Sequence, residues 1–214
     1  MSVVLLVEGQ VESQLVRGFV RRCLARRIRD RSLPRLDFIA MGGAPNLVRS
    51  LPRDADNQYR SQRRPLVFGC LIDIHECPHS DPDLPLTERV RETEARLRQL
   101  IRERNQEAAH WTRFYFSVHE SEAWLLSHPE LFSEPSIQSR VRALAARPET
   151  VNGKKPPSQH LNEFFLRSSR ACGYHKVIHG TPLWRSLDPA VAESRCPHLK
   201  AMIDDLEARI CSSA

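Results

Sequence analysis

The chain has 214 residues, which is long enough for one well-buried domain, or for one domain with a modest extension. Its net charge of +6 at pH 7 favours a polyanionic partner such as DNA or RNA, with ordinary solubility as the alternative. No stretch approaches the roughly 20 apolar residues that a membrane span needs, and the apolar run at the amino terminus is too short for a signal peptide. Six cysteines without a CxxC pair predict reduced thiols, so we expect a soluble cytoplasmic protein with no membrane partner.

The first half of the chain alternates predicted strands with predicted helices. Continuous or nearly continuous apolar runs predict strands at residues 3–7 and 66–72, and the segments 36–40 and 114–118 also resemble strands. Apolar residues at helical spacing predict helices after Gly9, in part of the arginine-rich segment 49–64, at 87–107 and from Glu120 to Ser127. This alternation predicts an α/β domain with a central, mostly parallel sheet and flanking helices.

The second half of the chain is rich in proline and carries no further strand pattern. Its proline residues are spread between Pro129 and Pro197, which predicts short helices separated by loops. We therefore expect an α/β core at residues 1–130, and a helical and loop-rich extension at residues 131–214 that packs on the core as one compact unit.

Three predicted strands run directly into an acidic residue, namely Glu8, Asp73 and Glu120. Functional groups of open α/β sheets gather beyond the carboxyl ends of the strands, so we expect these carboxylates to lie near one another. Glu12 and Glu122 follow closely in the sequence. The alternative is that each acid only caps the helix that follows it, but three such acids at one sheet edge favour a functional site.

Clustered carboxylates predict a site for Mg²⁺ or Mn²⁺, because these cations prefer oxygen ligands. Zinc is a weaker alternative. His75, Cys77 and His79 alternate in a proline-flanked loop, but their spacing does not form the two close pairs that are typical of structural zinc sites.

Short motifs occur in the same order along nearly the whole chain. They are VEG at residues 7–9 followed by Glu12, LID at 71–73, HESEAWLL at 119–126, PETVN at 148–152, KPPS at 155–158, YHK at 174–176 with Gly180, and RCPHL at 195–199. Together these motifs resemble the TOPRIM-related family catalogued as domain of unknown function 4276.

The resemblance implies a TOPRIM-like, Rossmann-like fold, of the kind found in topoisomerases, primases and certain nucleases. In that superfamily, a Glu after the first strand and a later Asp-x-Asp motif bind magnesium for phosphoryl chemistry. Glu8 and Asp73 match the first positions of these motifs, but His75 replaces the second Asp. Glu76 or Glu120 is the expected substitute, and His75 is expected either to bind a metal or to pair with a carboxylate.

Roles for individual residues follow from the resemblance and from the chemistry of phosphate transfer. The expected catalytic residues are Glu8 as general base or acid, Asp73, Glu120 and Lys176. The expected metal-binding residues are Glu8, Glu12, Asp73, His75, Glu120 and Glu122. Lys155 and Lys176 are candidates for holding phosphate, with an exposed surface position as the alternative for both.

Two arginine-rich stretches, from Arg17 to Arg31 and from Arg49 to Arg64, are predicted to contact a phosphate backbone without reading its sequence. The residues assigned to nucleic-acid binding are Arg22, Arg26, Arg49, Arg53 and Lys155. A docking face for an acidic protein and a plain solvated helix face remain alternatives. Relatives in the wider TOPRIM group imply an ABC-type or SMC-like ATPase partner in antiphage defence, and the chain is also a candidate homo-oligomer.

Three functions are compatible with these features. The favoured prediction is a metal-dependent nuclease that hydrolyses DNA or RNA, with tRNA among the candidate substrates. The second is a TOPRIM-like subunit that binds nucleic acid or a partner without catalysis, since His75 stands where an Asp is expected. The third is another phosphoryl-transfer enzyme that acts on nucleotides.

Overall fold

The fold was taken from a computed structural model that describes residues 1–29, 32–117, 120–151, 155–168 and 172–212. Of the positions named above, Arg31, Val118, His119 and Asn152 lie outside the described residues.

A sheet of four parallel strands forms the centre of the fold. The strands are β1 (Ser2–Val7), β2 (Arg35–Ala40), β3 (Val67–Asp73) and β4 (Arg113–Ser117), and their spatial order is β2-β1-β3-β4. Val7 pairs with Leu71, and Asp73 pairs with Ser117, so the carboxyl ends of β1, β3 and β4 lie along one edge of the sheet. The predicted α/β fold with a parallel sheet is confirmed.

Helices cover both faces of the sheet. They are α1 (Arg17–Arg27), α2 (Ala44–Arg60), α3 (Leu86–Arg102), α4 (Gln106–Trp111), α5 (Glu122–Leu126), α6 (Pro135–Leu144), α7 (Pro157–Leu166), α8 (Gly180–Ser186), α9 (Pro189–Arg195) and α10 (Pro197–Ser212).

Each face of the sheet has its own hydrophobic core. In β1, Val3, Leu5 and Val7 pack with α1 and with helices of the carboxyl-terminal half, whereas Val4 and Leu6 pack with α2, α3 and α4. Since successive strand residues point to opposite faces, a strand covered on both sides is apolar at every position. This explains why β1 and β3 appear in the sequence as continuous apolar runs.

The helices of the first half differ from the prediction in three places. A π-helical turn at Glu12–Val16 precedes α1. The arginine-rich segment belongs to one 17-residue helix, α2, which contains Pro52 in its interior. The predicted helix at 87–107 is divided into α3 and α4, because the side chain of Asn105 accepts a hydrogen bond from the amide of Ala108 and starts a new helix.

The carboxyl-terminal half is built from helices that begin at proline residues. Pro135, Pro157, Pro189 and Pro197 are the first residues of α6, α7, α9 and α10, where the missing amide hydrogen costs nothing. The last helix, α10, is longer than predicted and packs against α1 and β4. Glu149 accepts hydrogen bonds from the amides of His198 (2.9 Å) and Leu199 (3.3 Å) at the start of α10.

Candidate active site

A pocket of about 300 Å³ lies at the carboxyl edge of β1, β3 and β4. Its ionisable lining consists of Glu8, Glu12, Asp73, Glu76, Glu120 and Lys176. The parallel sheet therefore brings together the three strand-end acids on which the site prediction was based. Glu76 and Lys176 reach the same pocket from the loop after β3 and from the carboxyl-terminal half of the chain.

The strand-end acids are tied to one another through backbone amides. Glu8 Oε1 accepts a hydrogen bond from the amide of Asp73 at 2.6 Å. Asp73 accepts from the amide of His75 through Oδ1 and from the amide of Glu120 through Oδ2, both at 2.8 Å. Each carboxylate thus fixes the backbone that carries the next one, so the three acids form a connected unit.

Glu120 joins the sheet edge to α7. Its carboxylate accepts hydrogen bonds from the amide of Ser158 at 2.8 Å and from its hydroxyl at 2.9 Å. Ser158 is the second residue of α7, where amides lack partners within the helix, and a negative charge is stabilising at this end. Glu120 also has a φ of 59°, which is uncommon for a residue other than glycine and costs on the order of 1 kcal/mol.

Glu122 lies beneath the pocket and does not line it. It is fully buried in α5, and its Oε1 is 3.2 Å from Nζ of Lys176, which is half exposed. Lys176 Nζ is also 3.7 Å from Glu120 Oε1. Glu122 Oε2 has no hydrogen-bond partner among the described residues. Glu122 therefore contacts the lysine, whereas the sequence had suggested it as a metal ligand.

The segment that carries Lys176 is attached to α7. The amide of Tyr174 donates to Asn162 Oδ1 at 3.0 Å, and a Cβ atom on Gly173 would lie only 2.6 Å from the same oxygen. Gly173 thus permits the close approach that brings this segment, and with it Lys176, to the pocket.

Glu12 occupies the first position of the π-helical turn. Ser121 donates a hydrogen bond to its Oε1 at 3.4 Å. A Cβ atom on Gly9 would come within 3.0 Å of its Oε2, so the glycine leaves room for this carboxylate. Single π-helical turns are frequent at functional sites, because they shift side chains out of the regular helical register.

Burial and mutual repulsion raise the pKa values of the clustered acids. Burial raises the pKa of Glu8 to about 8; the hydrogen bond from the amide of Asp73 opposes this shift, and the carboxylates of Asp73 and Glu76 add to it. The pKa of Asp73 rises to about 6, mainly through burial. For Glu122 burial raises the pKa to about 7, although Lys176 partly offsets it. Burial lowers the pKa of Lys176, but Glu122 and Glu120 outweigh this and the net shift is upward.

The carboxylates of the pocket are the type of ligand that a hard divalent cation prefers. Glu8, Glu12, Asp73 and Glu120 present only oxygen, and a divalent cation would offset the repulsion that adds to the raised pKa values of Glu8 and Asp73. Within the described ranges, no three acidic, histidine or cysteine side chains are arranged to hold a metal ion. Chelation of one ion by these acids therefore requires their side chains to rotate.

His75 is exposed beside the pocket and does not line it. Its Nδ1 is 3.0 Å from Nη1 of Arg89, and Nδ1 must accept this hydrogen bond because a guanidinium can only donate. Partial burial of the ring, and then the charge of Arg89, lower the pKa of His75 to about 4. Arg89 is itself buried and also donates to Ile74 O and to Ser80 Oγ, so it anchors the loop after β3. The structure thus pairs the His75 ring with an arginine, a contact that the sequence did not predict.

The residues predicted to bind nucleic acid fall into two groups. Arg22 donates to the carbonyl oxygens of Trp184 (2.9 Å) and Leu187 (2.6 Å), and Arg26 pairs with Glu193 at 3.1 Å, so both contact the carboxyl-terminal half.

The other three residues lie nearer to solvent. Arg49 and Arg53 are on α2, whose start follows the pocket-lining Gly42 and Gly43. Arg49 is exposed and contacts Asn46, whereas Arg53 pairs with the neighbouring Asp54 at 3.0 Å. Lys155 pairs with Glu163 on the surface and does not line the pocket.

Sequence reasoning missed three residues that shape the site. Ser158 holds Glu120, Arg89 anchors the loop after β3, and Asn162 holds the segment with Lys176. The sequence carried one usable signal. Pro156 and Pro157 indicate the start of a helix, and the free amides at such a start attract a carboxylate.

A parallel sheet of four strands with an acidic pocket at its carboxyl edge defines an α/β protein with a Rossmann-like layout. The family described as domain of unknown function (DUF4276) matches residues 7–207, and the chain belongs to this family. No curated protein matches the chain, and no solved structure does. Within the described residues, no helix has both the length and the apolar character needed to cross a lipid bilayer.

Proposed function

We propose that the protein is a divalent-metal-dependent phosphodiesterase that hydrolyses DNA or RNA, with Mg²⁺ or Mn²⁺ as its cofactor. The observation that carries the proposal is the pocket in which Glu8, Asp73 and Glu120 meet beside Lys176. Ligands of open α/β sheets bind at this edge, and a group of acids next to one lysine suits a metal-bound phosphate better than an apolar ligand.

Glu8, Glu12, Asp73 and Glu120 are the residues that would hold the cation. When bound, the metal supplies polarisation of a phosphate oxygen and a lower pKa for a water molecule. Glu76, which also lines the pocket, stands in for the second Asp of the Asp-x-Asp motif.

Two residues of the chain handle protons and charge in this proposal. Without a cation, the pKa of Glu8 is raised to about 8, so Glu8 can exchange a proton near neutral pH as a general acid or base when Glu12, Asp73 and Glu120 hold the metal. Lys176 is positively charged at the pocket and stabilises the negative charge that develops on a phosphate. Glu122 positions Lys176 from below and is not assigned to the metal.

The TOPRIM-like assignment is part of the proposal. It is supported by the parallel sheet, by Glu8 directly after β1 and by Asp73 at the end of β3. A role in antiphage defence, an ABC-type or SMC-like ATPase partner, a cytoplasmic location and self-assembly remain predictions from the sequence.

The test is cleavage of plasmid DNA, single-stranded DNA and total tRNA by the full chain, with Mg²⁺ or Mn²⁺ and then with chelator. We expect divalent-dependent products from at least one nucleic acid. Asp73→Asn should reduce cleavage by more than the ~10–100-fold that is typical for residues behind a metal ligand. Asp83→Asn is the matched control, because Asp83 is exposed and does not line the pocket.

One observation favours a non-catalytic binding subunit instead. Both oxygens of Asp73 already accept backbone hydrogen bonds, and no group of three metal ligands is preformed within the described residues. Tight metal-independent binding of nucleic acid without products would support this second function, and would overturn the first. Hydrolysis of free nucleotides, while the nucleic acids remain uncleaved, would also overturn the nuclease proposal. It would indicate a phosphoryl-transfer enzyme that acts on nucleotides.

A further inference from the structure

Among the described residues, β4 is the last strand on one side of the sheet, and no other strand pairs with its outer edge. Ile74 N donates to Ser117 O, so the backbone of Ser117 points towards β3. Backbone groups alternate in direction along a strand, and those of Phe114 and Phe116 therefore point away from the sheet. No described residue forms a hydrogen bond with these outward groups.

A groove of about 480 Å³ follows this outer edge. Its floor includes Phe114 and Phe116, one wall includes Val90 from α3, and the other includes Ala201 and Met202 from α10. Neighbouring strands lie about 4.8 Å apart, so a fifth strand that pairs with β4 would occupy this groove. Exposed edges of this kind bind extended peptides through main-chain hydrogen bonds.

The charges in the groove select for an acidic segment. Arg113 forms no ion pair with any described residue, and its Nε is buried without a hydrogen-bond partner. Its Nη1 donates to the carbonyl oxygens of His110 (2.9 Å) and Thr112 (3.3 Å), and its charge is only partly offset by Asp205, which does not form an ion pair with it. A buried or half-buried cation is stabilised by an anionic partner, so a carboxylate beside Arg113 would be favourable.

The acids that line the groove are already paired with other cations. Glu94 pairs with Arg98 at 2.6 Å, and Asp205 pairs with Arg209 at 2.9 Å. Asp205 also accepts a hydrogen bond from the hydroxyl of Tyr115 at 2.7 Å. A second copy of the chain, docked edge to edge, would bring the same paired acids to the groove and no carboxylate for the arginine at the start of β4.

We propose that this groove binds an extended segment of a partner protein, which adds to β4 as a fifth strand and places an acidic side chain against Arg113. The proposal concerns the outer side of β4 and is independent of the chemistry at the carboxyl edge of the sheet. It predicts a partner with an extended, acidic segment and not a helical one.

The test uses a pool of fluorescent peptides of about eight residues, with a central Glu flanked by randomised Val, Ile, Thr and Ser. Two matched pools carry Gln in place of Glu, or N-methyl groups on alternate residues, which block main-chain pairing. Fluorescence anisotropy with the full chain should show binding of the first pool, and at least about tenfold weaker binding of the other two. Hydrogen exchange should show the amide of Phe116 protected by the first pool.

Two variants test the groove itself. Arg113→Gln should weaken the Glu pool about tenfold and leave the Gln pool unchanged. Ala201→Trp should block all peptides sterically, and it keeps the test valid if the arginine variant folds poorly. Arg185→Gln is the control, because this arginine is exposed on α8 and does not line the groove.

Three outcomes would overturn the proposal. One is that no pool binds, and another is that N-methylated peptides bind as well as the unmodified pool. The third is a dimer in sedimentation experiments that Ala201→Trp converts to monomers, because this would assign the groove to a second copy of the chain.

Discussion

The amino group of Lys176 lies 3.2 Å from the buried carboxylate of Glu122. The two residues are far apart in the sequence and come from the two halves of the chain, so their contact joins the α/β core to the carboxyl-terminal helices at the pocket. The buried acid keeps the lysine charged and restrains its position.

Removal of the Glu122 charge should make Lys176 more reactive. In Glu122→Gln the carboxylate that raises the pKa of Lys176 is lost, so a larger fraction of the amine is neutral at a given pH. We expect Lys176 to be acetylated by acetic anhydride up to about tenfold faster in the variant, measured by peptide mass spectrometry near pH 9.

Lys200 provides the internal control for this experiment. It is exposed and pairs with Asp204 at 2.6 Å, away from Glu122, so its acetylation rate should not change. Equal reactivity of Lys176 in the variant and in the original chain would show that Glu122 does not hold the lysine.

Loss of the proton from Glu8 should lower the stability of the folded protein as the pH rises. Its pKa is about 8 in the folded protein and about 4.5 in the unfolded chain, so the folded state binds the proton more tightly. The stability linked to this proton is present below pH 4.5 and is lost as the pH rises through 8. Urea unfolding should show a loss on the order of 2–4 kcal/mol from Glu8 between pH 5 and pH 8.5. Glu8→Gln should remove this part, whereas Asp73 and Glu122, whose pKa values are also raised, keep their own contributions.

Magnesium should restore stability at the alkaline end of this range. A cation bound to the ionised acids stabilises only the folded state, so millimolar Mg²⁺ should raise the Tm at pH 8.5 and have little effect at pH 5. Glu107→Gln is the control for Glu8→Gln, because Glu107 is exposed on α4. A pH dependence that is the same in Glu8→Gln would contradict the raised pKa of Glu8.

Glu149 should be important for folding and not for chemistry. Its buried carboxylate satisfies the amides of His198 and Leu199 at the start of α10. We expect Glu149→Ala to lower the free energy of unfolding by about 1–3 kcal/mol, and Glu149→Gln to cost less because it keeps an acceptor. Glu130→Gln, at an exposed position, should change it by less than about 0.5 kcal/mol. An unchanged free energy of unfolding in Glu149→Ala would contradict this capping role.

Strands β1 and β3 could be predicted because they are covered on both faces. Residues 3–7 and 66–72 are apolar throughout, and no helical period competes with that pattern. The helices were harder to predict. Pro52 lies inside α2, where proline normally interrupts a helix, and Asn105 divides what looked like one long helix through a local side-chain hydrogen bond. Both features depend on single residues that a periodic pattern does not register.

The site was predictable only where the sheet alone determines it. Glu8 and Asp73 lie at the ends of neighbouring parallel strands, so strand prediction was sufficient to bring them together. The positions of Glu122 and Lys176 depend on long-range packing. The sequence placed Glu122 close to Glu120, but the short helix α5 turns its side chain into the core, where Lys176 meets it.

Variants of Arg22 and Arg49 should distinguish an arginine that stabilises the fold from one that is free to bind nucleic acid. Arg22 donates to two carbonyl oxygens of the carboxyl-terminal half, so Arg22→Gln leaves these acceptors with fewer hydrogen bonds. We expect urea unfolding to show a loss of about 1–3 kcal/mol for this variant. Arg49 is exposed, and Arg49→Gln should change the free energy of unfolding by less than about 0.5 kcal/mol.

For nucleic-acid binding we expect the larger effect in Arg49→Gln and no effect in Arg22→Gln. If Arg49 contacts a phosphate, its replacement weakens binding to all sequences and lowers the slope of log K against log salt concentration by about one. Arg22→Gln should leave that slope unchanged, because its guanidinium is already engaged within the chain. The slope is measured by anisotropy with labelled single-stranded DNA between low and moderate salt. An unchanged slope in Arg49→Gln would remove Arg49 from the predicted phosphate contacts, and a reduced slope in Arg22→Gln would restore Arg22 to them.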